Sequence, residues 1–206
     1  MKTAMLVIAV IASVFFAERR HTNRRKKLFV DAAKPLGLSG SETSVSGFLD
    51  GVEVLVWAES RRSGKVSVEV PAIKVGVLGL PAGLSVRSEG IYEKITKVTS
   101  GAIDIQLGVP DIDPKIMIVG KDEEEVRRWG CNPAVADALR ELIARPKSSF
   151  RIHGGDLVVY APHAFENADV LSDLIREVVA KAKTLSRSNV SAGTNPSKTS
   201  RADGIW

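Results

Sequence analysis

Val45-Ser46-Gly47-Phe48-Leu49-Asp50-Gly51-Val52-Glu53-Val54-Leu55-Val56-Trp57-Ala58 is the stretch that decides the fold class. Val45–Leu49 and Val52–Ala58 are rich in β-branched and aromatic residues. The Asp50-Gly51 dipeptide between them suits the positive φ angles of a type I′ turn, so the stretch reads as a β-hairpin. In its second arm Val52, Val54, Val56 and Ala58 alternate with Glu53, Leu55, Trp57 and Glu59. That period of two belongs to a strand with one buried face and one wet face. Leu55 and Trp57 fall on the nominally wet face, which implies that it is partly covered, by a helix or by a bilayer surface.

Outward from this hairpin, Arg61–Gly64 turns the chain into Val66, Val68 and Val70, a second hairpin. Pro71–Gly83 is richer in Gly and Pro yet still apolar, as expected of a strand with a bulge or a well-packed loop. Leu84–Arg87, Ile91–Val98 and Lys115–Val119 are further short segments. Ser149–His153 and Asp156–Ala161 flank Gly154-Gly155 as a third hairpin.

Helix signals begin after residue 120. Asp122 followed by Glu125 forms an Asp-x-x-Glu box, with Glu123/Arg127 and Glu124/Arg128 as i, i+4 pairs and Gly130 as the stop. Asn132 caps a second helix with Pro133 at its first position and Val135, Leu139, Leu142 and Ile143 as its apolar stripe. Leu171, Leu174, Ile175, Val178, Ala182 and Leu185 recur at helical spacing in the last element, with Asp173, Arg176, Glu177, Lys181 and Lys183 on its far side. The expected architecture is α+β, antiparallel hairpins or a meander packed against two to three helices.

The amino-terminal region has a different chemistry. Thr3–Ala17 is an uncharged apolar run followed by Arg19, Arg20, His21, Arg24, Arg25, Lys26 and Lys27. As a helix the run spans about 22 Å, short of a hydrocarbon core about 30 Å thick, and flanking residues that snorkel narrow the gap. We read it as a single transmembrane anchor at 3–17. The positive charge that follows it predicts the amino terminus outside and the domain on the cytoplasmic side of the inner membrane. The rival is a cleaved secretory signal, which places the domain in the envelope; its cleavage sites put Phe15 at a small-residue position or cut inside the apolar run.

The expected organisation is then the anchor, a basic juxtamembrane connector at 18–42, one α+β domain at 43–186 and a disordered Ser/Thr/Asn-rich tail at 187–206. Net charge is +5, of which residues 1–27 carry +6 and residues 186–206 carry +2, leaving −3 on the middle of the chain. A mildly acidic domain is a poor phosphate-backbone binder, so no nucleic-acid partner is expected. Arg19, Arg20, Arg24, Arg25, Lys26 and Lys27 instead suit anionic lipid headgroups. The single Cys131 rules out an internal disulfide framework.

Across Gly101–Gly120 the residues Asp104-Ile105, Gly108, Asp111-Ile112-Asp113 and Ile116–Gly120 form a pattern of their own. It resembles a loosely defined group of uncharacterised bacterial proteins in which a short membrane anchor and an Arg-rich stretch precede an α+β domain. The resemblance covers most of residues 1–185. In the group's pattern a Phe-Asp pair stands where this chain has Ile112-Asp113, and an acid follows where Gly108 is followed by Val109-Pro110. The resemblance implies fold and placement and no activity.

The candidate chemistry is sparse. Asp104, Asp111 and Asp113 are three carboxylates in a loop, capable in principle of holding a hard cation. Their spacing lacks the central Gly and closing Glu of an EF-hand, which favours turns in which Asp side chains bond local backbone. His153 and His163 flank a strand, and each is a possible base or ligand if the fold brings a partner to it. Cys131 precedes a helix with no base named by the sequence, so an idle or buried thiol is expected. The Gly-containing segment 76–83 lacks the strand, glycine and helix order of a dinucleotide site, and no cofactor is expected. The resulting expectation is a membrane-anchored, noncatalytic interaction or scaffold domain. Alternatives are a hydrolase using the Asp/His residues and a domain that binds lipid or another apolar ligand.

Overall fold

The computed structural model of the chain describes residues 27–63, 66–88, 104–146 and 148–187. The predicted anchor at 3–17, most of its basic flank, the Ile91–Val98 segment and the tail from 188 lie outside the described residues. Among the described residues no helix is long and apolar enough to cross a membrane.

The fold is α+β. Its strands are β1 (Ser39–Gly40), β2 (Ser44–Leu49), β3 (Val52–Ser63), β4 (Val66–Gly76), β5 (Ser85–Ser88), β6 (Ile116–Val119), β7 (Ser149–His153) and β8 (Asp156–Tyr160). They form one eight-stranded sheet in the order β1-β2-β3-β4-β8-β7-β5-β6, antiparallel at every pairing. Among the described residues the helices are α1 (27–33), α2 (Glu123–Gly130), α3 (Pro133–Ala144) and α4 (Ala168–Arg187).

The hairpin of β2 and β3 closes where Asp50 and Gly51 take φ of 52° and 79°, the pair of positive values a type I′ turn requires. That turn fixes Leu49 opposite Val52, and so sets Val54 and Val56 inward with Leu55 and Trp57 outward. The third hairpin, β7 and β8, turns on Gly154 and Gly155, both at positive φ. Asp122 Oδ1 accepts the Glu125 N–H at 3.1 Å and Asn132 Oδ1 accepts the Ala134 N–H at 3.0 Å. Each cap satisfies a donor that a helix start leaves unpaired. Arg127 Nη2 meets Glu123 at 2.8 Å, one of the two i, i+4 pairs expected on α2.

Two features depart from the sequence pattern. First, β4 runs unbroken through Pro71 to Gly76, with no bulge required. The proline faces Ala161, the residue at which the chain leaves β8, and its carbonyl accepts the Ala161 N–H at 3.1 Å. The Ala161 carbonyl is taken by the Ala164 N–H at 3.0 Å, so the donor that proline lacks is not missed.

Second, the folded unit reaches back before Thr43, into what the sequence presents as connector. Leu28, Phe29, Ala32, Ala33, Leu36 and Leu38 are buried in the main core. Gly40 in β1 lets α1 lie close, because a Cβ there would stand 2.9 Å from both Ala33 Cβ and Val30 Cα. The buried Ser172 hydroxyl on α4 lies 2.8 Å from the Ala32 carbonyl, tying the two helices together.

The helices share one core with one face of the sheet, the face carrying Val54, Val56, Ile73, Val75, Ile152, Leu157 and Val159. Leu171, Ile175 and Leu185 of α4 are fully buried against it, and Trp129 of α2 donates its indole N–H to the Leu185 carbonyl at 3.3 Å. Strand alternation puts a different set on the opposite face. A second, smaller apolar cluster sits there, made of Ala72, Val158 and Tyr160 with Trp57 packed at its edge.

Candidate functional site

The loop 104–115 gathers the three carboxylates singled out from sequence, but the fold gives each its own structural task. Asp113 accepts three backbone N–H groups, from Leu107 at 2.9 Å, Gly108 at 2.8 Å and Val109 at 3.0 Å. Asp104 accepts the Ile118 N–H at 2.9 Å and the Gln106 amide at 3.0 Å, fastening the loop beside β6. Asp111 points away to α3, where Arg140 Nε lies 2.6 Å from its carboxylate and Arg140 Nη1 lies 2.7 Å from Asp137. The hydrogen bond from Arg140 holds the Asp111 carboxyl below the ordinary carboxylate range, and the same contacts raise the guanidinium.

These carboxylates therefore act as turn and docking elements. Among the described residues no group of three His, Cys, Asp or Glu side chains is placed to hold a metal ion. The histidines are not brought together either. His153 ends β7 opposite Asp156, whereas His163 falls in the 3₁₀ turn Pro162–Phe165 beyond the other end of β8. A full strand separates the two positions. Cys131, exposed at the end of α2, donates its thiol weakly to the Leu107 carbonyl at 3.3 Å. Of the basic flank only Lys27 is described, exposed on α1.

A cleft of about 340 Å3 opens beside the Asp50-Gly51 turn, between Val52, Glu53, Gly76, Leu78, Lys183 and Ser186. It lies at the end of α4 and not beneath it, where the apolar stripe of that helix is packed into the core.

The open face of the sheet holds the arrangement that sequence alone does not assemble. Registers β3/β4, β4/β8, β8/β7 and β7/β5 place Trp57, Ala72, Tyr160 and Ser149 in one cross-strand row, and Lys74, Val158, Arg151 and Arg87 in the next. Tyr160 is only 3 % exposed. Its hydroxyl is buried without a hydrogen-bond partner among the described residues. The Arg61 guanidinium stacks 3.7 Å from the centre of its ring, and that of Arg151 lies 5.9 Å from the same centre. Arg61 also donates to Ser149 Oγ at 3.2 Å.

Arg87 and Arg151 are direct Cα partners across β5 and β7, so both project from the same face side by side. Like charges directly opposite each other on antiparallel strands destabilise the pair. Arg87 contacts the Met117 sulfur at 3.5 Å, which neutralises nothing. The carboxylates of Glu59 and Asp156 on this face already have partners, Glu59 at 3.6 Å from Arg61 Nε and Asp156 at 3.3 Å from Lys74 Nζ. Sequence alternation alone predicts that Arg151 and His153 point opposite to Phe150 and Ile152. The unbroken apolar run Leu157–Ala161 is likewise a signal that β8 is buried on both faces. Their convergence with Arg61 and Arg87 needs the sheet order.

No family model matches the chain, and no curated protein or solved structure matches it.

Proposed function

We propose that the protein is a membrane-tethered, noncatalytic interaction domain whose working surface is the open face of its sheet. The observation that supports this most is the composition of that face. An antiparallel sheet that merely faces water alternates apolar-in with polar-out. Here the outward row holds Leu55, Trp57, Val70, Val158 and Tyr160, with Arg61, Arg87, Arg151 and Lys74 around them. Trp, Tyr and Arg are the side chains enriched where protein surfaces meet partners.

The tether rests on the apolar run 3–17 and its basic flank, which together favour an inner-membrane protein with its domain in the cytoplasm. The structural engagement of Asp104, Asp111 and Asp113 supports a binding role over the hydrolase alternative. The packed stripe of α4 likewise weighs against an apolar-ligand carrier built under that helix.

Two measurements test the reading. Cys131 is the chain's single thiol and is exposed, so a membrane-impermeant thiol reagent reports its side of the membrane. Labelling only after lysis is expected; labelling of intact cells reverses the orientation. A photo-crosslinking residue at Leu55 is expected to yield adducts in cells that the same residue at Asp173, on the outer side of α4, does not. Equal adducts from both positions defeat the assignment of the open face.

A further inference from the structure

We infer that Arg87 and Arg151, aligned across β5 and β7, together with Arg61 and Tyr160 form a binding site for a phosphomonoester-type dianion. The inference rests on the reading that the open sheet face is the working surface, but it does not require the tether.

Three observations converge on it. The first is charge: among the described residues Asp156 is engaged by Lys74 and Glu59 by Arg61, so the guanidiniums of Arg87 and Arg151 are left without a carboxylate. A phosphomonoester carries about −1.5 to −2 near neutral pH, which matches. The second is the Arg87/Arg151 pairing, two like charges held side by side by the β5/β7 register. An anion shared between two guanidinium forks turns that repulsion into attraction, and a tetrahedral phosphoryl group has enough oxygens to engage both at once. A single carboxylate satisfies one fork and leaves the other.

The third observation is the Tyr160 hydroxyl. It is buried and has no partner among the described residues, a state that costs a protein stability unless a ligand or water completes it. It supplies a donor at the floor of the site. Arg61 lies over the ring, 3.7 Å from its centre, and in the proposed site it turns to admit the ligand. That guanidinium is held by one neutral hydrogen bond to Ser149 and one long pair with Glu59. In the bound state Arg151 and Arg87 clamp the phosphoryl oxygens, Tyr160 donates its O–H, and Arg61 closes over the group.

The source of the phosphoryl group is either a lipid headgroup such as that of phosphatidic acid or a soluble phosphorylated molecule. The test uses the full chain in phosphatidylcholine nanodiscs, titrated with inorganic phosphate against sodium chloride at equal ionic strength, with thermal unfolding as the readout. Phosphate at saturating concentration is expected to raise Tm by about 2 °C or more beyond chloride. Arg151→Gln and Arg87→Gln are each expected to raise Tm without phosphate, by relieving the like-charge pair, and to abolish the phosphate increment. Tyr160→Phe is expected to hold or raise Tm and to weaken phosphate binding several-fold. Lys34→Gln, a surface control on the helical side, is expected to leave the increment intact.

Replacing part of the phosphatidylcholine by phosphatidic acid separates the sources. Loss of the phosphate increment identifies the headgroup as the occupant, and an unchanged increment identifies a soluble ligand. A phosphate effect no larger than that of chloride, or one of equal size in the two arginine variants, overturns the site. A site that binds phosphate while Leu55 and Asp173 crosslink equally would retain the anion pocket and remove only the broader working surface.

Discussion

The arginines of the helical layer and those of the open sheet face are treated differently by the fold. On the helices Arg127 meets Glu123, Arg140 meets Asp111 and Asp137, Arg145 meets Glu177, and Arg176 meets Asp173. Lys181 likewise meets Glu141. On the sheet Arg87 and Arg151 are aligned with each other, and no carboxylate lies within ion-pairing distance of either among the described residues. Helical spacing lets a sequence place an acid three or four residues from a base, and this chain does so repeatedly. The same economy was available on the sheet, where a Glu at position 87 would have paired with Arg151. The sheet is not bare of such pairs, since Arg61 meets Glu59 and Lys74 meets Asp156, and so the aligned Arg87 and Arg151 stand out as charge left to be matched by something bound.

The two faces should first differ in what truncation costs. Leu157→Ala removes a fully buried side chain from the covered face and is expected to destabilise by about 2 to 5 kcal/mol in chemical denaturation. Leu55→Ala, on the open face and only partly buried, is expected to cost less than about 1 kcal/mol. Equal losses would mean that both faces are core, and the contrast between them would disappear.

A second experiment sharpens where the covered layer begins. Gly40→Ala drives a methyl group into the Ala33 side chain and the Val30 backbone, neither of which can swing aside. Overpacking of this kind costs about 1 to 3 kcal/mol. Protection of the α1 amides from hydrogen exchange should fall more than that of α3, because the clash is local to the β1/α1 contact. If α1 exchanges as slowly as before, the helix is not held by the approach that Gly40 permits.

What was legible in the sequence follows the range of the interaction. Asp50-Gly51, Gly154-Gly155, the Asp122 and Asn132 caps and the stripe of α4 are encoded within a few residues of where they act, and local pattern suffices for them. The inclusion of Leu28–Leu38 in the core was not legible, because its apolar residues follow a basic block and their partners lie on α4 and β1. Nor was the insertion of the β7/β8 hairpin between β4 and β5, which joins strands far apart in the chain. The arginine site shares that difficulty. Its members come from β3, β5 and β7, each looking like an ordinary outward charge on its own strand. The Asp loop was legible as a backbone-bonding turn, since Asp113 reaches only to residues 107–109.

The smallest expected effect tests whether helical-layer charges are merely compensated. Asp111 is exposed and its carboxyl is held below the ordinary range chiefly by the hydrogen bond from Arg140. A depressed folded-state value means that the unfolded chain takes up the proton first as pH falls. The stabilisation is therefore present above the ordinary carboxylate range of about 4 and fades as pH drops through the folded value. An exposed pair contributes little, so the effect is read as a difference. Denaturation midpoints of the natural chain and of Asp111→Asn, compared from neutral pH downward, are expected to differ slightly near neutrality and to converge in acid. Adding salt should shrink the neutral-pH gap as well, since solvent screens both partners. A gap that persists unchanged below the carboxylate range would assign the loss to packing of the loop on α3 and not to the ion pair. The sense in which this layer's charges are satisfied would then need a different physical basis.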